Sequence, residues 1–69
     1  MNDITVFARN VVALRADREL TQAQVSDRSG IHVTEVSRIE RGLRDPRLTT
    51  LVRLARALQV KPARLLEDL

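Results

Sequence analysis

Four residues divide this chain into segments, because they are its strongest helix breakers. Gly30 and Gly42 are its two glycines, and Pro46 and Pro62 are its two prolines. Glycine commonly ends a helix in the left-handed conformation, whereas proline suits a turn or the first position of a helix. The segments between them lack the alternation of apolar and polar residues that is typical of strands. The sequence therefore predicts an all-α fold.

The spacing of apolar residues predicts five helices, over about residues 3–18, 21–29, 33–41 and 48–58, with a last short helix that opens at Pro62. In the first, Phe7, Val11 and Leu14 recur at i, i+4 and i+7, which is one face of a helix. Asp3 is expected to cap this helix, and the segment "TQAQ" is expected to form a capping box at the start of the second. The wide apolar face of the fourth helix consists of Leu48, Leu51, Leu54, Ala55 and Leu58.

The length of 69 residues predicts one domain, residues 1–69. The chain has no cysteine, one histidine and one aromatic residue, Phe7, which argues against disulfides, metal sites and aromatic platforms for single-stranded nucleic acid. No apolar run approaches the ~20 residues that span a bilayer, and the N-terminus does not resemble a signal peptide. We therefore expect a cytoplasmic protein with no cofactor and no membrane partner.

Residues 21–42 have the pattern of a helix-turn-helix, in which a turn containing glycine joins two short helices. Counted from Gln22, the small residue Ser26 is fifth and Gly30 is ninth. The small residue allows close helix packing, and the glycine permits the turn. Apolar residues occupy the positions that hold the two helices together, namely Val25, Ile31, Val36 and Ile39.

The stretches "LTQAQVSDRSGIHVTEVSRIERG" and "DPRLTTLVRLARALQV" resemble the Cro/phage-repressor (XRE-type) helix-turn-helix family, and the resemblance extends over about residues 7–66. It implies a five-helix, lambda-repressor-like domain that binds specific double-stranded DNA sequences and regulates transcription. An α-helix fits the major groove of B-DNA, and in this family the third helix lies there. The formal net charge of +3 is compatible with a nucleic-acid partner but does not require one.

The resemblance also implies which residues contact DNA. Base contacts are expected from His32, Val33, Thr34, Ser37 and Arg38. Phosphate contacts are expected from Gln22, Arg41, the backbone N–H of Leu43, Arg44 and Arg47. Arg38 is the best candidate for reading guanine, because arginine can donate two hydrogen bonds to O6 and N7. The roles of two residues stay open. His32 could simply cap the helix, and Glu35 could either face solvent or accept a hydrogen bond from cytosine N4.

The family pattern also predicts an ion pair and identifies two helix ends that lack the usual glycine. Arg15 and Glu40 match an arginine and a glutamate that pair in the family, so we expect an ion pair that fixes the orientation of the third helix. Glu19 and Gln59 stand where relatives usually carry glycine, just after the first and fourth helices. A residue with a side chain is mildly strained in the left-handed conformation that such positions adopt.

A regulator of this size is expected to act as a homodimer, since one motif reads too few base pairs and a two-fold operator supplies two half-sites. The dimer contact is expected to use Leu65, Leu66 and Leu69. A protein-interaction role, such as that of an antitoxin, is the alternative. An enzyme is not expected, because no catalytic or phosphate-binding motif is visible, and neither is a small-molecule ligand.

Overall fold

Five helices make up the described part of the chain, which in this computed structural model is residues 2–69; Met1 lies outside it. They are α1 (Asp3–Asp17), α2 (Gln22–Ser29), α3 (Val33–Glu40), α4 (Leu48–Ala57) and α5 (Pro62–Leu65). Residues 2–69 contain no strand, so the all-α prediction is confirmed. The first helix is capped one residue earlier than expected, because Oδ1 of Asn2, and not Asp3, accepts from the backbone N–H of Thr5 at 2.8 Å.

The core consists almost entirely of aliphatic side chains, with Phe7 as its one aromatic member. Val11, Val25, Val36 and Leu54 are fully buried, so α1, α2, α3 and α4 all contribute to one cluster. The apolar spacing predicts Leu48 on the inward face of α4, but its side chain is 76% exposed. It is the first residue of α4, and the neighbouring helices do not cover that end.

Hydrogen bonds fix the junction between α2 and α3. The predicted capping box is present at Thr21 and Gln24, each of which bonds the other's backbone N–H. Gly30 ends α2 with a φ of 74°, as the sequence predicts. The Ser26 hydroxyl donates to the Ile31 carbonyl at 2.6 Å, and the Ser29 hydroxyl accepts from the Ile31 N–H at 3.1 Å. The turn is therefore bonded as well as packed, which gives α3 a defined direction relative to α2.

The ends of α1 and α4 adopt the left-handed conformation without glycine. The φ values are 55° at Glu19 and 57° at Gln59. In α1, the N–H groups of Glu19 and Leu20 donate to the carbonyls of Ala16 and Arg15, and the equivalent pair of bonds closes α4. This is the Schellman arrangement, in which two otherwise unpaired helix carbonyls are satisfied. Strain at the two residues accompanies these bonds.

The short α5 docks onto α1 through a side-chain amide. Nδ2 of Asn10 donates to the carbonyls of Leu65 and Glu67, both at 2.9 Å. Leu65 is fully buried, which corrects its assignment to a dimer surface: its side chain belongs to the protomer's own core. Leu66 and Leu69 stay exposed. None of the helices in residues 2–69 has the length and apolar character needed to cross a membrane.

Candidate nucleic-acid interface

The third helix has one buried face and one open face. Val36 and Ile39 are buried against the core, and α3 packs on both α1 and α2. The opposite face presents the residues expected to contact bases, with Val33 and Thr34 exposed and Ser37 and Arg38 half-buried. The predicted base-contact set therefore lies on one accessible surface, because the core takes the other side of the same helix.

His32 lies at the entrance to α3 and caps it. Its Nδ1 accepts from the backbone N–H of Thr34 at 3.1 Å. In the neutral ring the proton is then on Nε2, which leaves an N–H donor on an exposed side chain. The capping interpretation is thus correct for the unbound protein, and it leaves Nε2 able to serve as a contact.

An ion pair and an amide hold the far end of α3. Glu40 accepts from Nε of Arg15 at 2.6 Å and from Nη2 at 2.9 Å, and a further bond at 3.0 Å comes from Nε2 of Gln22. The guanidinium also donates through Nη1 to the Leu20 carbonyl at 2.9 Å. The Glu40 side chain is only 5% exposed. This cluster joins α1, α2 and α3, so it sets the orientation of the open face.

The carboxylate of Glu40 also alters the acid–base behaviour of its partner. The hydrogen bond with Glu40, reinforced by its charge, raises the pKa of Arg15 above the ordinary arginine value, although burial opposes the shift. Because the folded-state pKa of Arg15 is raised, the contribution of its charge to stability is fully present below the unfolded pKa and is lost as pH rises through the folded pKa. Arg15 therefore remains charged throughout the range in which proteins are usually studied.

Glu35 joins two of the arginines that were predicted to contact DNA. Nε of Arg44 donates to both carboxylate oxygens of Glu35, at 3.2 and 3.1 Å, and Nη1 of Arg38 lies 3.9 Å from Oε1. All three side chains are between one third and one half exposed. The sequence indicates only the i, i+3 spacing of Glu35 and Arg38, since the pairing with Arg44 depends on the path of the loop after α3.

The remaining predicted phosphate contacts are distributed around this loop. Arg41 and Arg47 are exposed, and Nε of Arg41 donates weakly to the Ser37 carbonyl at 3.4 Å. The family resemblance implies a phosphate contact from the backbone N–H of Leu43, but this group donates to the Arg38 carbonyl at 3.0 Å and closes α3 around Gly42. That prediction is corrected, because the donor is already used within the protein. Gln22 reaches the surface at the start of α2, with its amide nitrogen committed to Glu40.

Comparison with known proteins gives the same fold. A family model described as helix-turn-helix (HTH_3) matches residues 11–65. The crystal structure of the restriction-modification controller protein C.AhdI from Aeromonas hydrophila superposes with a TM-score of 0.89 at 32% identity, covering 91% of this chain and 96% of that one. A second structure, of the hypothetical transcription factor NHTF from Neisseria, also has a TM-score of 0.89, at 28% identity, and covers 94% and 75% of the two chains.

Similarity in sequence leads to the same group of proteins. Control protein C.SmaI from Serratia marcescens is 38% identical over 61 residues, which are 88% of this chain and 73% of that protein. The uncharacterized HTH-type transcriptional regulator y4dJ from Sinorhizobium fredii is 45% identical over 51 residues, which are 74% of this chain and 66% of that protein. The family match and the shared fold show that the chain belongs to the helix-turn-helix family of DNA-binding transcriptional regulators.

Proposed function

We propose that this protein regulates transcription in the cytoplasm by placing α3 in the major groove of a two-fold symmetric operator, as a homodimer. The observation that carries the proposal is the open polar face of α3, which the Arg15–Glu40 pair and the bonded α2–α3 turn hold in a fixed orientation. A recognition helix must be held in this way if its side chains are to meet base edges in register. The likeness to two controller proteins supports the same role.

Within this proposal, the residues have different tasks. Arg38 reads guanine, the exposed residues Val33 and Thr34 contact neighbouring bases, and Nε2 of His32 donates at the helix entrance. Phosphate binds at the start of α2, where Gln22 and the first backbone N–H groups lie, and along the arginines that flank the α3–α4 loop. Phosphate contacts position the protein on the duplex, whereas base contacts select the sequence.

The proposed dimer surface is an apolar cleft beside α5. The cleft has a volume of about 150 Å³ and is lined by Ile4, Phe7, Pro46, Leu51, Leu66 and Leu69, with Asp3 and Asp45 at the same site. Leu66 and Leu69 are 42% and 55% exposed, so covering them would remove apolar surface from water. A second copy that contributes the same two leucines would form a self-complementary contact.

Footprinting on the DNA that flanks the protein's own coding region tests the proposed function. We expect two protected half-sites related by two-fold symmetry. Their centres should be separated by one helical turn of DNA, about 34–36 Å, or by a multiple of that distance. The observed affinity should fall with salt along a log–log line whose slope is near −0.9 for each phosphate neutralised. The proposal would be contradicted if, at low salt, the protein protected no site on the flanking DNA and also selected no duplex from a randomised library.

A further inference from the structure

The Glu35 cluster, defined as Glu35, Arg38 and Arg44, places an acidic group in the middle of the proposed DNA-binding surface. Its carboxylate is close to Arg38, the proposed guanine reader, and bonds Arg44, a proposed phosphate contact. Stability does not account for it, because exposed ion pairs contribute only about 0–1 kcal/mol. An acidic residue also opposes binding to a polyanion, so its position needs a functional explanation.

The carboxylate changes what the two arginines offer to DNA. Since Nε of Arg44 already donates to both oxygens of Glu35, a phosphate can use this donor only by displacing the carboxylate or sharing the donor with it. The Nη groups of Arg44 can still donate, but the neighbouring carboxylate offsets the positive charge that attracts a phosphate. The cluster as a whole carries one positive charge instead of two. A duplex that binds this surface therefore meets two arginines whose positive charge Glu35 partly offsets, and it gains the Nε donor of Arg44 only when that internal hydrogen bond is given up.

We propose that Glu35 is a specificity-determining residue whose carboxylate competes with phosphate for Arg44 and Arg38, and thereby weakens binding to unmatched DNA more than binding to the operator. The inference rests on the proposed function and deepens it. On a matched site, Arg38 donates to guanine O6 and N7, and Glu35 accepts from a cytosine amino group. On an unmatched duplex the carboxylate stays uncompensated among phosphates. Rejection of wrong partners by an unpaired charge is a general source of specificity.

The test compares Glu35→Gln with the wild type on two duplexes of equal length. One duplex is recovered from a randomised library by selection with the wild-type protein, and the other has a mixed sequence without that site. For Glu35→Gln we expect affinity for the mixed-sequence duplex to rise on the order of threefold to tenfold, with a salt slope steeper by about 0.9 for each arginine released. Affinity for the selected duplex should change by less than about twofold, so the ratio of the two affinities falls.

Glu67→Gln is the matched control. Glu67 forms an exposed i, i+3 ion pair with Arg64 at 2.9 Å, and its loss alters the net charge by the same amount. The proposal is overturned if Glu35→Gln and Glu67→Gln change both affinities equally, or if Glu35→Gln weakens binding to both duplexes while its melting temperature is unchanged.

A double variant separates the competition from a folding defect. Glu35→Gln combined with Arg44→Gln should return affinity for the mixed-sequence duplex to within about twofold of wild type, because the released donor is then missing. If the double variant keeps the full gain in affinity, Arg44 is not the group that Glu35 withholds, and the proposal fails. A wild-type protein that selects no duplex at all would instead overturn the proposed function itself.

Discussion

Glu40 connects α3 to both α1 and α2. It accepts hydrogen bonds from Arg15 and from Gln22, and its side chain is nearly buried. Glu40→Ala should lower the free energy of unfolding by about 3 kcal/mol, because it strands the charge of Arg15. Chemical denaturation measures the change, and Glu67→Gln, which removes an exposed pair, should cost less than about 1 kcal/mol. An unaltered unfolding midpoint in Glu40→Ala would show that the cluster does not hold α3.

Substitution of Arg38 tests its proposed contact with guanine. Arg38→Ala should weaken binding to the selected operator by about 1–3 kcal/mol and relax the preference for guanine at one position of each half-site. Binding to a mixed-sequence duplex should change far less. Arg9→Ala is the control, since Arg9 is exposed on α1 outside the helix-turn-helix. The assignment fails if Arg9→Ala and Arg38→Ala reduce operator affinity equally.

The sequence could predict some of these contacts and not others. Arg15 and Glu40 are 25 positions apart, and only the family pattern predicts that they pair. The third partner, Gln22, could not be foreseen, because its amide reaches Glu40 only once α2 and α3 have packed. The pairing of Arg44 with Glu35 has the same origin, since it depends on a loop whose conformation no local pattern specifies. Local signals, such as the Thr21 capping box, were predictable because both of their bonds lie within one turn.

At the scale of the helices, the sequence predicts where each one ends more reliably than which side of it is buried. Helix ends depend on local residues such as Gly30, whose left-handed φ is 74°. The exposure of Leu48 depends instead on whether another helix reaches the start of α4, and the i, i+3 spacing contains no information about that. Burial of Leu65 beside exposed Leu66 is likewise decided by how α5 docks on α1.

The left-handed ends of α1 and α4 offer a direct gain in stability. Glu19→Gly and Gln59→Gly should each raise the free energy of unfolding by about 0.5–1 kcal/mol, since glycine removes the strain while its greater freedom in the unfolded chain offsets part of the gain. Ala16→Gly, in the last turn of α1, is the control and should cost about 1 kcal/mol. Thermal unfolding measures all three. Destabilisation by both end variants would mean that their side chains make contacts worth more than the strain.

Docking of α5 depends on one amide. Asn10→Ala removes both donations to the carbonyls of Leu65 and Glu67, and we expect a loss of about 1–3 kcal/mol in the free energy of unfolding. Relative to the wild type, hydrogen exchange in this variant should accelerate more in residues 62–69 than in α3. Equal acceleration in both regions would show that Asn10 supports the whole fold and not the docking of α5 in particular.

Two surfaces of the protein differ in chemistry. The α3 side presents arginines and small polar groups, whereas the cleft beside α5 is apolar with two carboxylates. A formal net charge of +3 is therefore less informative than its distribution, because attraction to DNA depends on where the arginines lie. Because the two surfaces are separate, the proposed contact with DNA and the proposed contact with a second copy do not compete for the same residues.

The apolar cleft yields a prediction about assembly. Leu66→Asn combined with Leu69→Asn should weaken the proposed dimer by about 2 kcal/mol, or roughly thirtyfold in its dissociation constant, because two partly exposed leucines in each copy would no longer leave water on association. Analytical ultracentrifugation without DNA measures this change.

Leu48→Asn is the control, since Leu48 is more exposed than either residue but lies outside the cleft lining. Because the proposed operator complex contains two copies, the double variant should also protect the two half-sites only at higher protein concentration. An unchanged dissociation constant, or an equal effect of Leu48→Asn, would place the dimer contact elsewhere on the protein.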